Sequence, residues 1–196
     1  MKERPILFSA DMVRAILDGR KTQTRRVVKG DPNLVRWMPI QINRNQGWEN
    51  EHGNPINCPY GQGGDRLWVK ETWATTEQSG VHKSDAEIIY RATDPDWETI
   101  EGWCWKPCIF MPRWASRIDL EITSIHVERL QDITEMDAIA EGMMFERYDG
   151  NTYDELPAKE KLADYWDSLN AKSGYPWESN PWVWVIEFKV IKPEVN

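Results

Sequence analysis

Long hydrophobic runs are missing from this 196-residue sequence. No apolar stretch approaches the ~20 residues that a membrane-spanning helix needs, and the N-terminal segment is too short in apolar residues for a signal peptide. Hydrophobic residues make up 40% and charged residues 29% of the chain, which is typical of a globular protein and excludes a disordered one. We therefore expect one domain over residues 1–196, located in the cytoplasm and without membrane contact.

Cysteine is scarce as well. The three cysteines, Cys58, Cys104 and Cys108, are an odd number without the spacing of a disulfide framework. Reduced thiols in a reducing compartment are the simpler interpretation. A zinc site that combines these thiols with His52 or His82 is the alternative, although this spacing matches structural zinc sites poorly. The sequence predicts no metal and no other cofactor.

Positive charge is in deficit, with 24 basic against 32 acidic residues and a net charge of −8. Binding along duplex nucleic acid needs a broad basic surface, so a long duplex is not expected as a partner. The basic residues that exist are nevertheless clustered. Five of them fall within ten positions, and two more flank Trp114: Arg20, Lys21, Arg25, Arg26 and Lys29, then Arg113 and Arg117. A small basic pocket in an acidic protein is compatible with this pattern.

Hydrophobic periodicity and capping residues divide the chain into short strands and a few helices. Two polar segments, residues 30–64 and 76–108, read as insertions, the second with a strand near 87–92. The absence of βαβ alternation favours an α+β fold over a doubly wound sheet. The other predicted elements are strands at 5–8, 66–70, 118–130 and 182–190, and helices from Ser9 to Gly19, from Thr134 to Gly142 and over 157–170.

The segment from Gly19 to Arg26, GRKTQTRR, is the most unusual in the sequence. A helix ends at the glycine, and in the turn that follows Lys21, Thr24 and Arg26 can face one concave spot. Such a spot offers a charge, a hydroxyl and a forked donor, a set that suits an anionic or carbonyl-bearing ligand. A solvated basic loop is the alternative interpretation.

This segment resembles the signature of the ASCH family, G-x-K-x-x-T-x-R after a strand and a short helix. The resemblance implies a PUA-like fold, a small mixed β-barrel with short flanking helices, and an association with RNA. Most members carry Glu where this chain has Thr24. The motif with threonine is similar to that of small bacterial ASCH enzymes, which hydrolyse N4-acetylcytidine to cytidine and acetate with a Lys–Thr–Glu catalytic set. The segment ITEMDAIAEGM at 133–143 resembles the C-terminal part of those enzymes, and this resemblance places their glutamate at Glu141.

Four further segments resemble a longer ASCH group found in phages and prophages: PILF at 5–8, GDRLWVKETW at 64–73, MPRWASR at 111–117 and NPWVW at 180–184. The small enzymes are shorter than this chain. The resemblance therefore implies the same insertions, at 30–64 and 76–108.

The resemblance implies three catalytic roles. Thr24 would attack the substrate or position water, and Lys21 would act as its base. Burial and neighbouring arginines would lower the pKa of Lys21, as a base requires. Glu141 would pass a proton to the leaving amine; a solvated residue at a helix end is its alternative.

The remaining candidates would bind substrate. Glu71 could accept a hydrogen bond from an exocyclic amine, or form a surface salt bridge with Lys70 or an arginine. The RWASR segment could combine stacking with phosphate contact, or be an exposed aromatic between solvated arginines. The full set is Arg20, Arg26, Trp68, Glu71, Trp73, Arg113, Trp114, Ser116 and Arg117.

Two function classes remain open at this point. The first is an amidohydrolase that acts on N4-acetylcytidine, and the second is a non-catalytic module that binds RNA or a modified base. A nuclease is less favoured, because the sequence shows no carboxylate cluster for divalent metals. The expected partner in either class is a modified nucleoside or a short single-stranded RNA.

Overall fold

A computed structural model describes residues 1–29, 35–36, 48–50, 55–75, 87–94, 104–143 and 157–191, with the backbone alone for 35–36, 48–50 and Pro55. The elements are mixed, and the predicted α+β class is confirmed. The strands are β1 Glu3–Leu7, β2 Gln23–Val27, β3 Val35–Arg36, β4 Trp48–Asn50, β5 Pro55–Ile56, β6 Arg66–Lys70, β7 Trp73–Thr75, β8 Ile88–Tyr90, β9 Asp119–Arg129 and β10 Trp182–Ile191. The α-helices are α1 Ala10–Leu17, α2 Glu135–Ala140 and α3 Ala158–Asn170.

The main sheet has five strands in the order β1-β6-β9-β10-β2. Only β1 and β6 pair in parallel, and the other neighbours are antiparallel. Strand β10 lies between β9 and β2, as its apolar residues on both faces predict. Its alternate side chains pack into two clusters: Trp184, Ile186 and Phe188 join the main core, and Val183 and Val185 pack with Leu130 and Trp166.

Helix α1 brings the basic segment to this sheet. Its N-cap Ser9 accepts a hydrogen bond from the Met12 amide, and its buried face contributes Val13 and Ile16 to the main core. Each fully buried aliphatic side chain stabilises the fold by about 1.5–3 kcal/mol. The helix ends at Gly19, whose φ of +72° is readily adopted by glycine. Lys21 therefore follows a well-anchored helix.

The predicted barrel differs from the observed sheet. Within the described part of the chain, the edge strands β1 and β2 have no backbone pairing with each other. A side chain links them instead, because Arg26 Nη2 donates a hydrogen bond to the Leu7 carbonyl at 2.8 Å. Among the described strands, β2 pairs only with β10, and helix α1 lies between β1 and β2 in the sequence. The sheet is therefore open where a continuous ladder was expected.

The two predicted insertions contain more structure than their composition suggested. Strands β3, β4 and β5 form a small antiparallel sheet within 30–64, a segment expected to be irregular. Strand β8 confirms the strand expected near 87–92, and it pairs with β7, which was not predicted. Strands of two or three residues have too few alternating positions to give a periodic signal. Residues 30–34, 37–47, 51–54, 76–86 and 95–103 of the two segments lie outside the described residues.

Gly142 and Gly174 offer a matched test of how tightly α2 packs against α1. Both have positive φ, +96° and +87°, but a Cβ at Gly142 would lie 2.9 Å from the Ala15 Cβ, whereas one at Gly174 meets no atom within 4 Å. We expect Gly174→Ala to lower the free energy of unfolding by about 1–2 kcal/mol through backbone strain. Gly142→Ala should cost about 1–3 kcal/mol more through overpacking. Urea denaturation measures both, and equal losses would contradict the close contact.

Candidate active site

The end of α1 and the end of α2 are joined by backbone hydrogen bonds. The Lys21 amide donates to the Ala15 carbonyl at 2.9 Å, and the Thr22 amide donates to the Ala140 carbonyl at 2.8 Å. Arg20 adds a side-chain bond from Nη1 to the Gly142 carbonyl at 3.3 Å. These contacts fix the segment before β2 against the C-terminus of α2, although the two are more than a hundred residues apart in sequence.

The Lys21 side chain is buried and has three hydrogen bonds. Its Nζ donates to Glu141 Oε2 at 2.6 Å, to the Glu141 carbonyl at 2.7 Å and to the Gln23 carbonyl at 2.9 Å. Burial lowers the pKa of Lys21, Glu141 raises it, and the charges of Arg26 and Arg25 lower it again; the net pKa is below the usual 10.5. The direction is the one that a lysine base requires.

Glu141 is the C-cap of α2 and only 4% exposed. The alternative of a solvated helix-end residue is therefore wrong. Its two carboxylate oxygens face different cations, Oε2 facing Lys21 and Oε1 lying 3.3 Å from Arg25 Nη1. The structure thus brings two of the three expected catalytic residues into direct contact.

Arg25 is a member of this cluster that the sequence did not single out as a site residue. Its side chain is 2% exposed, and Nε donates to Glu128 Oε1 at 2.8 Å. Nη1 donates to Gln23 Oε1 at 3.0 Å, so Gln23 and Arg25 project from the same face of β2. Strand alternation from Gln23 could have indicated this face, but only the fold places Glu128 and Glu141 there.

Thr24 and Arg26 project from the opposite face of β2, because side chains alternate along a strand. The segment was expected to form a turn, but the strand already begins at Gln23. Thr24 is buried opposite Ile186 of β10. The Arg26 guanidinium lies 5.2 Å from the centre of the Phe8 ring, and Lys21 Nζ lies 5.5 Å from the same centre. Phe8 therefore contacts both cations.

Glu71 forms a second buried ion pair. Arg117 binds it in bidentate geometry, Nε to Oε1 at 2.9 Å and Nη2 to Oε2 at 3.0 Å. Its carboxylate is 2% exposed, so the expected salt bridge is present but lies beneath the surface. The Arg117 guanidinium stacks on Tyr90 at 3.9 Å. This pair lies near the Lys21 cluster, because the Phe8 amide donates to the carbonyl of Lys70, the residue before Glu71.

Three of the remaining candidates have structural partners. Arg20 pairs with Asp18, and Arg113 pairs with Glu3 and Asp119. Ser116 Oγ donates to the Val69 carbonyl at 2.8 Å. Their polar groups are therefore engaged within the protein.

The candidate tryptophans differ in exposure. Trp73 is buried and meets Trp114 edge-on, with ring centres 5.9 Å apart, whereas Trp114 is 54% exposed. Lys70 and Arg113 lie 5.4 and 5.9 Å from the centre of the Trp68 ring. Trp114 is thus the candidate tryptophan with an accessible face.

The three cysteines are free thiols, partly buried at Cys58 and Cys108 and exposed at Cys104. Burial raises the pKa of Cys58, which favours its protonated form. Across the described ranges, no group of three or more histidine, cysteine or acidic side chains could hold a metal ion. His52 and His82, the other proposed zinc ligands, lie outside those ranges.

No family model matches the chain, and no curated protein matches it. Solved structures are similar to it, and two of them follow. One is an ASCH domain from Lactobacillus crispatus JV V101, at 15% identity and a TM-score of 0.43, covering 96% of this chain and 79% of that one. The other is a DUF984 protein from Enterococcus faecalis V583, at 11% identity and a TM-score of 0.45, covering 100% of this chain and 84% of that one. Both TM-scores are below 0.5. No helix in the described parts of the chain is long and apolar enough to cross a membrane.

The buried and exposed ion pairs of this protein should differ in their effect on stability. Glu141→Gln leaves Lys21 and Arg25 buried beside a neutral amide, so we expect the free energy of unfolding to fall by about 3 kcal/mol or more. Glu121→Gln is the matched control, because its partner Lys189 is 61% exposed and an exposed pair contributes about 1 kcal/mol or less. Urea denaturation of both variants measures the difference. Similar losses would show that the Glu141 pair is effectively solvated.

Proposed function

We propose that this protein is an amidohydrolase that removes the acetyl group from the exocyclic nitrogen of a modified nucleoside, N4-acetylcytidine. The observation that carries the proposal is the buried Lys21 ammonium, 2.6 Å from Glu141, next to the strand that carries Thr24. A buried lysine with a lowered pKa, three residues before a buried threonine, supports general-base chemistry at that point.

The reaction adds water across the amide C–N bond. Neutral Lys21 would take a proton from the Thr24 hydroxyl, or from a water that Thr24 holds, and the oxygen would attack the acetyl carbonyl carbon. The C–N bond then breaks, and the proton returns to the amine nitrogen through the Lys21 and Glu141 pair. If Thr24 attacks, the acetyl group is left as an ester on its Oγ, and a water then cleaves that ester to give acetate and restore the hydroxyl; if water attacks, acetate forms directly. In both routes cytidine leaves with its amine restored.

Arg26 is suited to stabilise the developing charge on the carbonyl oxygen. It lies on the same face of β2 as Thr24, and two of its five N–H donors are engaged, with the carbonyls of Arg25 and Leu7. Donors preorganised in a low-dielectric site stabilise an oxyanion more than they would in water. In this arrangement Arg26 is the forked donor for the acetyl oxygen.

Release of acetate from free N4-acetylcytidine tests the proposal. We expect turnover by the wild type and loss of about 100-fold or more in Lys21→Met and Thr24→Ala, because each removes a group that handles the transferred proton. Lys21→Arg should also be inactive, since guanidinium does not deprotonate usefully. Thr24→Ala should keep substrate binding, measured by calorimetry.

Thr22→Ala is the matched control for Thr24→Ala. Thr22 is exposed, and its contacts with Ala140 and Phe188 use backbone atoms that alanine retains. Circular dichroism confirms folding of each variant. Full activity in Thr24→Ala or Lys21→Arg would contradict the assigned roles, and no acetate release by the wild type would reject this substrate.

A second candidate, a module that binds single-stranded RNA, is favoured by one surface. Two short 3-10 helices, Cys108–Phe110 and Arg113–Ala115, present Ile109, Phe110 and Trp114, all more than half exposed. Lys70 and Lys106 lie beside them, Lys70 bonding the Ile109 carbonyl and Lys106 lying 4.7 Å from the centre of Trp73. Among the described residues neither lysine has a carboxylate partner. Exposed rings with neighbouring cations suit stacked bases and phosphates.

Fluorescence anisotropy with a short labelled RNA tests this surface. We expect Trp114→Ala to weaken binding about ten-fold, because base stacking contributes roughly 1–3 kcal/mol, and Lys106→Gln to reduce the salt slope by about one. Leu169→Ala is the matched control, since Leu169 is equally exposed, at 54%, on α3. Equal effects of Trp114→Ala and Leu169→Ala would show that the surface does not bind RNA.

A further inference from the structure

Arg25 is the most constrained charged side chain near Lys21. It is buried in the middle of β2, opposite Val185 of the central strand β10. Its three nitrogens are all engaged: Nε and Nη2 with Glu128 Oε1, at 2.8 and 2.7 Å, and Nη1 with Gln23 Oε1 and Glu141 Oε1, at 3.0 and 3.3 Å. A guanidinium held on two sides by carboxylates has little rotational freedom.

Glu128 anchors the outer side of Arg25. Its carboxylate is 20% exposed and also contacts His126 Nε2 at 3.4 Å. Partial burial raises the pKa of Glu128, but hydrogen bonds from His126 and Arg25 and the charge of Arg25 outweigh this, and the pKa is below its usual 4.5. Glu128 therefore stays ionised near neutral pH and holds Arg25 from the side away from Glu141.

We propose that Arg25 is a positioning residue: held by Glu128, it fixes the Glu141 carboxylate and compensates its charge whenever Lys21 is neutral. The inference rests on the proposed function for the role of Lys21. It adds a residue that does not touch the substrate and acts through Glu141.

The charge balance explains why a second cation is needed. Lys21 and Arg25 carry two positive charges, which Glu141 and Glu128 balance. If Lys21 gives up its proton, Arg25 still faces Glu141, and the buried carboxylate keeps one partner. Without Arg25, deprotonation of Lys21 would leave Glu141 buried and uncompensated, which is strongly unfavourable. Arg25 thus favours the neutral form of Lys21.

Other charged and titratable groups also face the cluster. Arg26 contributes a positive charge near Lys21 from the other face of β2. Asp137 of α2 accepts a hydrogen bond from Gln23 Nε2 at 3.0 Å and is influenced by Arg25. Tyr165 of α3 is influenced by Arg26 and Glu141, and burial keeps its pKa above 10. Among the described residues, none of these groups bonds Glu141 Oε1, the oxygen that Arg25 contacts.

Arg25→Gln tests the proposal through the pH dependence of turnover. Activity should rise with pH as Lys21 loses its proton, and removal of Arg25 should move this rise to higher pH. Activity at pH 7 should fall about ten-fold or more, and recover partly at alkaline pH. A merely structural role would lower activity at all pH values without moving the profile.

An NMR titration of the free protein gives a readout that needs no substrate. With 13Cε-labelled lysine, and Lys21→Met to assign the Lys21 signal, the titration of Lys21 should also move to higher pH in Arg25→Gln. Arg25→Lys restores the charge, so the titration should return toward the wild type. Its kcat should stay low, because the point charge of an ammonium cannot bind both glutamates as a guanidinium does. Glu128→Gln removes a negative charge and leaves Arg25 facing Glu141, so it should move the titration in the opposite direction, to lower pH. This variant serves if Arg25→Gln does not fold.

Arg129→Gln is the matched control. Arg129 lies on β9 and contacts the Trp182 ring and the Asn180 carbonyl, so the Lys21 titration should not move. An unchanged Lys21 titration in both Arg25→Gln and Glu128→Gln would overturn the inference. If the titration moves as expected but the wild type releases no acetate, the proposed function fails and the role of Arg25 stands.

Discussion

The contact between Lys21 and Glu141 is the interaction on which the site depends. Burying two charges is costly unless each is well paired and hydrogen-bonded, and both conditions are met here. Lys21 Nζ has three oxygen partners, and each Glu141 oxygen faces a cation. The pair also determines the local architecture, because it requires the end of α1, the start of β2 and the end of α2 to meet at one point.

The same contact has a structural and a chemical consequence. Lys21 Nζ donates a hydrogen bond to the Glu141 carbonyl and so caps the C-terminus of α2. The helix dipole favours a positive charge at this end. Burial opposes that charge, and the balance leaves the pKa of Lys21 below its ordinary value. A lysine held by opposing effects can exchange a proton more readily than a solvated one. Structural support and general-base chemistry are therefore compatible in one side chain.

Much of the fold was accessible from the sequence because its signals are local. The Ser9 cap and the Gly19 terminus define α1, the Thr134 and Asp137 capping box defines α2, and the apolar faces of β10 predict its central place. The ASCH-like motifs added Glu141, which no local pattern singles out. Short strands such as β3 and β7 were missed because they have too few residues for a period.

The sequence by itself determined which residue types are present and which helices and strands carry them. Only the tertiary structure decided which charges meet. Arg25 and Glu128 are separated by more than a hundred positions, and their contact arises because β2 and β9 both pair with β10. The bidentate pair of Glu71 with Arg117 also follows from strand pairing, because these residues flank β6 and β9, which pair with each other. These contacts depend on the pairing of strands that are far apart in the sequence. Local propensities do not predict such pairing, because two strands can form hydrogen bonds at any separation in the sequence.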